Sequence, residues 1–188
     1  MTHIIKTVPA EDWAKAKEIR LAALRDPIAH LAFLETLEQG LARPDEFWQD
    51  RARASAEGTS LRQFVAEAPD GEWLGTVTAR VELPGDTSAF GGEPKAPQTH
   101  VVGVFLRPAA RGAGIAEELL AAAVAWSWSL SEPRIERVRL FVHEENARAQ
   151  ALYRKAGFEP TGATVLVPAD VPFREVELAV TRSLTPAG

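Results

Sequence analysis

The stretch Arg107-Pro-Ala-Ala-Arg-Gly-Ala-Gly-Ile-Ala-Glu-Glu-Leu-Leu120 constrains the fold of this chain more tightly than any other. The run before it, Val101-Val-Gly-Val-Phe-Leu106, is β-branched and apolar, as a buried strand requires. After it Ile115, Leu119, Ala122, Trp126 and Leu130 recur at helical spacing. The glycines therefore fall where a strand hands over to a helix. There the first backbone N–H groups have no intrahelical partner and the helix dipole leaves partial positive charge, so main chain alone can hold an anion. Gly112 and Gly114 let that backbone come close, and the turn reads as a pyrophosphate cradle.

Spacing separates the motifs that share this logic. A dinucleotide fingerprint starting at Gly112 needs Gly or Ala at position 117, which is Glu117, and the P-loop's Gly-Lys dipeptide occurs nowhere. Arg111-x-x-Gly114-x-Ala116 instead resembles the Q/R-x-x-G-x-G/A motif of the GNAT superfamily of acyl-coenzyme-A-dependent N-acetyltransferases. A second segment, residues 137–158, is an alternating strand followed by a short helix closed by glycine. It resembles the same family's N-x-x-A-x-x-L-Y-x-x-x-G-F pattern at Asn146, Ala149, Leu152, Tyr153, Gly157 and Phe158.

The resemblance implies an α/β fold: a GNAT-like α/β/α sandwich around one central twisted, mixed, mostly antiparallel sheet. It implies acetyl-CoA as co-substrate, no metal, and acyl transfer to an amine by direct attack through a tetrahedral intermediate. An alkyl ammonium, with a pKa of roughly 10.4, must first lose a proton, and backbone N–H donors can stabilise the developing oxyanion. Carried over residue by residue, the backbone of Val104, Phe105 and Leu106 would take the pantetheine arm as an added strand. Arg111, Gly112, Ala113, Gly114, Ile115, Ala116 and Glu117 would wrap the pyrophosphate through main-chain N–H groups. Asn146 would bond the arm or a water, and Tyr153, the chain's one tyrosine, would protonate the leaving thiolate.

The base is less determined. The family often carries a glutamate on one of two strands; here Phe141 fills one such position and His100 the other. An ordinary histidine, titrating near about 6.5, suits proton removal at neutral pH, so His100 ranks first. Glu35, Glu38 and Asp86 are alternatives on the acceptor side, and water alone is another. A non-catalytic acyl-CoA-binding module of the same fold is the competing function, motivated by the missing carboxylate.

Composition narrows the rest. At 188 residues and 46% hydrophobic, the chain suits one domain over 1–188. A net charge of -5 with arginines scattered along the sequence gives no nucleic-acid face, and the absence of cysteine excludes an acyl-cysteine relay. No apolar run spans a membrane and the N-terminus lacks a signal-peptide core, so a cytoplasmic protein without membrane partners is expected. His143-Glu144 begins like a zinc motif, but Ala147 stands where the second histidine belongs, and G-x-S-x-G is absent. The Trp126-Ser-Trp128 pair is expected to pack its helix on the sheet. Strands are expected near 3–8, 61–68, 73–83, 158–167 and 173–181, and helical structure from Trp13 to Asp26 and over 30–57. Pro84 to Thr99, rich in Gly and Pro, is expected to be a flexible flap. The acceptor is a small-molecule or peptide amine, and an exposed last strand is compatible with a homodimer.

Overall fold

The computed structural model describes residues 2–182. Its seven strands form one open sheet in the order β1-β2-β3-β4-β5-β7-β6. β1 (Ile4–Thr7), β2 (Leu61–Glu67), β3 (Trp73–Glu82) and β4 (Gln98–Leu106) run as an antiparallel meander. β5 (Arg137–His143) then lies parallel to β4, and β6 (Glu159–Val167) and β7 (Phe173–Thr181) complete the sheet antiparallel. This is the mixed, mostly antiparallel sheet expected from the sequence. The last strand, however, is not an edge: β7 pairs with both β5 and β6, so β1 and β6 are the edges.

Helices cover both faces. α5 (Ile115–Ser129) crosses from β4 to β5 and seats Ile115, Leu119, Leu120 and Ala123 on Val77, Val101, Val138, Leu140 and Leu178. Trp126 and Trp128 pack against the same core, as expected. Ser127 is buried in this helix, bonded to the Ala123 carbonyl at 2.8 Å and to Thr99 at 2.8 Å, which ties α5 to β4. On the opposite face α1 (Trp13–Leu24) buries Ala16, Ile19 and Ala23 with Val65, Trp73 and Phe105.

The helical region expected over 30–57 is three helices: α2 (Ala29–Ala32), α3 (Leu37–Ala42) and α4 (Asp45–Glu57). A capping box between Thr36 and Gln39 restarts the chain at α3. Pro44 then fixes the entry to α4, whose first turn carries Asp45 and Glu46 and which stops at Gly58 in the left-handed region. α6 (Ala147–Lys155) starts at Asn146 and ends before Gly157, whose φ is 93°.

One irregularity shapes the centre of the sheet. Thr78 pairs with Val102 and Thr76 with Phe105, so Val77 faces two residues, Gly103 and Val104. Gly103 has φ 64°, as a bulge of this type needs, and the extra residue bends β4. β4 and β5 pair only through Gln98–Arg137, Thr99–Val138 and His100–Arg139. Beyond that point the two strands part.

Candidate active site

The parting of β4 and β5 opens into a cavity of 710 Å³ that reaches from the α5 start to the α2–α4 region. Along its β4 wall, Val104, Phe105 and Leu106 have no strand partner on the β5 side, so their backbone is open to an extended ligand there.

At the mouth, Gly112 and Gly114 have φ of 85° and 82°, and a Cβ built on either meets no atom within 4 Å. The room is on the outside of the turn, where a ligand would lie. Glu118 N–H is bonded to the Gly114 carbonyl at 3.2 Å, which leaves the N–H groups of Ile115, Ala116 and Glu117 without that helical partner. The Arg111 side chain is otherwise engaged: its Nε donates to the Leu106 carbonyl at 3.1 Å and its Nη2 pairs with buried Asp26. It clamps the turn to the end of α1. Lys155 adds a cation beside the cradle, bonded at 2.6 Å to Glu117, whose carboxyl it holds below the usual range.

The second motif lines the other wall. Asn146 caps α6, its Oδ1 accepting from Ala149 N–H at 3.1 Å, while its Nδ2 lies 3.5 Å from the Leu31 carbonyl. Tyr153 is buried and lines the cavity, and its hydroxyl makes no hydrogen bond among the described residues. Burial, with the nearby charge of Glu175, raises its phenol above the ordinary value and keeps it protonated.

At the closed end sits a buried ionic network that links five strands. Glu82 on β3 accepts from Gln98 at 2.7 Å, from Arg139 at 2.7 and 3.0 Å, and lies 3.1 Å from His100 Nδ1. Arg139, 3% exposed, also donates to Glu177 on β7 at 3.0 Å and to the Phe90 carbonyl at 2.6 Å. Arg137 holds Glu177 with two bonds of 3.1 Å, and Thr161 on β6 donates to it at 2.8 Å. Burial pushes Glu82 upward, but the bonds from His100 and Gln98 and the Arg139 charge prevail and hold it at about 2. Glu177 is likewise held below its usual value against burial, by Thr161, Arg137 and Arg139.

His100 therefore has an ionised carboxylate on Nδ1, which favours a proton on Nδ1; in the neutral ring Nε2 is then the acceptor. Two aromatic rings hold the imidazole: Phe90, stacked at 6.4 Å, and Phe141, edge-on at 5.5 Å. Phe90 belongs to the segment expected to be a flap. The expected flap runs two residues too far, because Gln98 and Thr99 already belong to β4; the segment between β3 and β4 is 83–97, and it is anchored here by Phe90 and by Arg139. Of the acidic alternatives, Glu35 is occupied by Arg20 and Arg43 at 3.0 to 3.3 Å, and Glu38 and Asp86 do not line the cavity.

One carboxylate escaped the sequence reading. Glu175 on β7 lines the cavity; its carboxyl makes no ion pair or hydrogen bond among the described residues and is pushed by burial up to about 7. Its alternation with Glu177 places both on one face. Which of the two is paired depends on Arg137 and Arg139, on another strand.

An open mixed sheet split between two parallel strands, with an anion cradle at the mouth and a histidine–carboxylate pair at the closed end, defines a protein built around an extended anionic co-substrate. The chain belongs to the acetyltransferase (GNAT) family, whose model matches residues 25–158. It is 36% identical over 143 residues to a mycothiol acetyltransferase of Salinispora tropica, covering 71% of this chain and 40% of that protein. It is 38% identical over 96 residues to the mycothiol acetyltransferase of Saccharomonospora viridis, covering 51% and 29%. The chain thus matches two fifths or less of the length of these curated relatives. Among solved structures, a GNAT-family acetyltransferase from Streptococcus pneumoniae superposes with a TM-score of 0.74 at 15% identity, covering 96% of this chain and 100% of that one. yncA from Salmonella typhimurium, with its cofactor acetyl-CoA, superposes at 0.73 and 15% identity over 100% and 98%. The fold is shared at this distance. No described helix is long and apolar enough to cross a membrane.

Proposed function

We propose that this protein is an N-acetyltransferase that moves an acetyl group from acetyl-CoA directly to a primary amine of a small molecule or peptide. The observation that carries the reading is the end of β4–β5 pairing at His100 and Arg139, which leaves an open strand edge leading straight to the glycine cradle. The residues present fit the co-substrate. Val104, Phe105 and Leu106 would bond its arm, and the main chain from Arg111 to Glu117 would hold its pyrophosphate, with Lys155 adding charge nearby. Asn146 Nδ2, weakly held by Leu31, is available to the arm. Bound there, acetyl-CoA supplies an activated acyl group on a good leaving group.

The chain's own groups move the protons. His100 Nε2 takes the proton from the incoming ammonium, and the resulting imidazolium is stabilised by Glu82 on Nδ1. Tyr153, kept protonated by burial, is the acid for the departing sulfur. A second reading of the base is Glu175, which has no partner and titrates near neutrality. The His100–Glu82 pair supplies a proton acceptor where the sequence lacked a carboxylate, which favours the enzyme over a purely acyl-CoA-binding module.

The test mixes protein, acetyl-CoA and a broad amine panel and measures released thiol. Amine-dependent release is expected; tight coenzyme A binding by calorimetry with no release from any amine would favour the binding module. Tyr153→Phe is expected to lower kcat at least about tenfold while leaving coenzyme A affinity within about twofold. Wild-type turnover in that variant removes Tyr153 from the chemistry.

A further inference from the structure

The arginines that look scattered along the sequence converge at the acceptor end of the cavity. Arg20 on α1, Arg43 before α4, Arg51 on α4 and Arg80 on β3 all line it, together with Glu35. Both oxygens of Glu35 are taken, by Arg20 at 3.0 and 3.1 Å and by Arg43 at 3.3 Å. The guanidinium groups of Arg51 and Arg80 make no hydrogen bond or ion pair among the described residues. Four guanidinium groups thus face one carboxylate, a local excess of three positive charges in a chain whose net charge is -5. Burial, then the charges of Arg20 and Arg80, lowers Arg51 to about 10 against the pull of Glu35. Trp48, 4% exposed, forms part of the wall here. The two arginines that Glu35 holds also cover aromatic rings, Arg20 over Phe33 at 4.5 Å and Arg43 over Phe47 at 4.6 Å, so the guanidinium groups left without a protein acceptor are those of Arg51 and Arg80.

Position separates this cluster from the pyrophosphate cradle. Arg80 pairs with His100 across β3 and β4, so the two side chains share one face of the sheet, roughly 5 Å apart at Cβ. Leu106, where β4 ends ahead of the cradle, is six residues further along β4, roughly 20 Å away. The charge lies beside the candidate base, where an acceptor's amine must arrive.

We infer that the acceptor is itself an anion: a small molecule carrying a carboxylate or phosphonate a few bonds from its amine, seated on Arg51 and Arg80. An anionic group gives Arg51 and Arg80 the acceptor that no protein group provides, and a planar carboxylate suits bidentate guanidinium recognition. A polyamine or a lysine-rich peptide would bring positive charge into the same space, so α-amino acids and their relatives are favoured over both. This rests on the acetyl-transfer reading only for the word acceptor; the anion site stands on the arginines.

The experiment therefore has a binding arm and a turnover arm. Protein saturated with coenzyme A, so that the cradle is filled, is titrated calorimetrically with 3-phenylpropionate, its neutral amide and 3-phenylpropylamine. The carboxylate is expected to bind at least about tenfold tighter than the amide, and Arg51→Met or exposed Arg80→Gln to remove that preference. Thermal melts of the variants check that they remain folded. Equal binding of acid and amide, or tighter binding of the amine, overturns the inference. In the turnover arm, phenylalanine is compared with phenethylamine, and kcat/KM is expected to favour the amino acid at least about tenfold. Arg80→Glu is expected to reverse that order. Thiol release that favours phenethylamine overturns the anion site and leaves acetyl transfer standing. Arginine-dependent carboxylate binding without any thiol release upholds the site and removes acetyl transfer.

Discussion

His100 and Glu175 divide the question of the base between them, and pH separates the two. His100 has an oriented ring and an ionised partner; Glu175 has neither partner nor bond but holds its proton up to about 7. His100→Ala is expected to abolish the acidic limb of the kcat/KM profile and lower the plateau at least about a hundredfold. A limb that survives in His100→Ala and disappears in Glu175→Gln transfers the role to Glu175. Glu175 also marks stability. Its value rises from an ordinary 4.5 to about 7 on folding, so the folded state binds its proton more tightly. The contribution is fully present below 4.5 and is lost as pH rises through 7. Glu175→Gln cannot ionise, so it is expected to be more stable than the parent by about 1–2 kcal/mol at pH 8, with the gap closing below pH 4.5. Urea denaturation at the two pH values checks it, and a gap independent of pH would count against it.

At the scale of elements, the sequence was readable wherever structure is local. The β4–cradle–α5 unit follows from a β-branched run, two glycines and a helical period, and each lies within a few residues of what it determines. Gly114 shows how much that local reading supports. It sits at the start of α5 with φ 82° and open space where a side chain would go. Gly114→Val is expected to cost about 1–2 kcal/mol of stability from backbone strain, yet to weaken coenzyme A binding at least about tenfold because the added methyls fill the cradle. Calorimetric titration of the folded variant decides it, and unchanged affinity would move the pyrophosphate elsewhere. The break between α2 and α3 was present as Thr36-x-x-Gln39, a signal easily lost in a Leu-rich stretch. The insertion of β7 between β5 and β6 had no local signal, because strand order is settled by which hydrophobic faces meet across the sheet. The arginine pocket escaped for the same reason: its four members come from separate stretches of chain and meet only after α1 and α4 pack over β3.

For the molecule as a whole, the sheet is closed at one end by charge and left open at the other. Gln98, His100, Arg137, Arg139, Glu82 and Glu177 sit where β4 and β5 last pair, and Arg139 holds β3, β7 and the Phe90 segment together. Putting these ions in the interior carries a desolvation cost that only complete pairing offsets, so removing the shared cation should cost more than an ordinary core truncation. Arg139→Met is expected to destabilise by about 3–5 kcal/mol at pH 7, since Glu82 and Glu177 are then buried short of their partner. Glu82 is held at about 2 in the folded protein, below its ordinary 4.5, so its contribution is present above 4.5 and lost as pH falls through about 2. The variant should therefore show a flatter loss of stability between those values than the parent. Adding Glu82→Gln to Arg139→Met is expected to restore part of the loss, because one stranded charge is removed, while His100 loses its carboxylate and turnover stays low. Urea denaturation of the single and double variants at pH 7 and pH 3 measures both effects. A loss below about 1 kcal/mol in Arg139→Met, with the acid dependence unchanged, would mean that apolar packing on α5 alone holds the sheet and that the network serves only to aim His100.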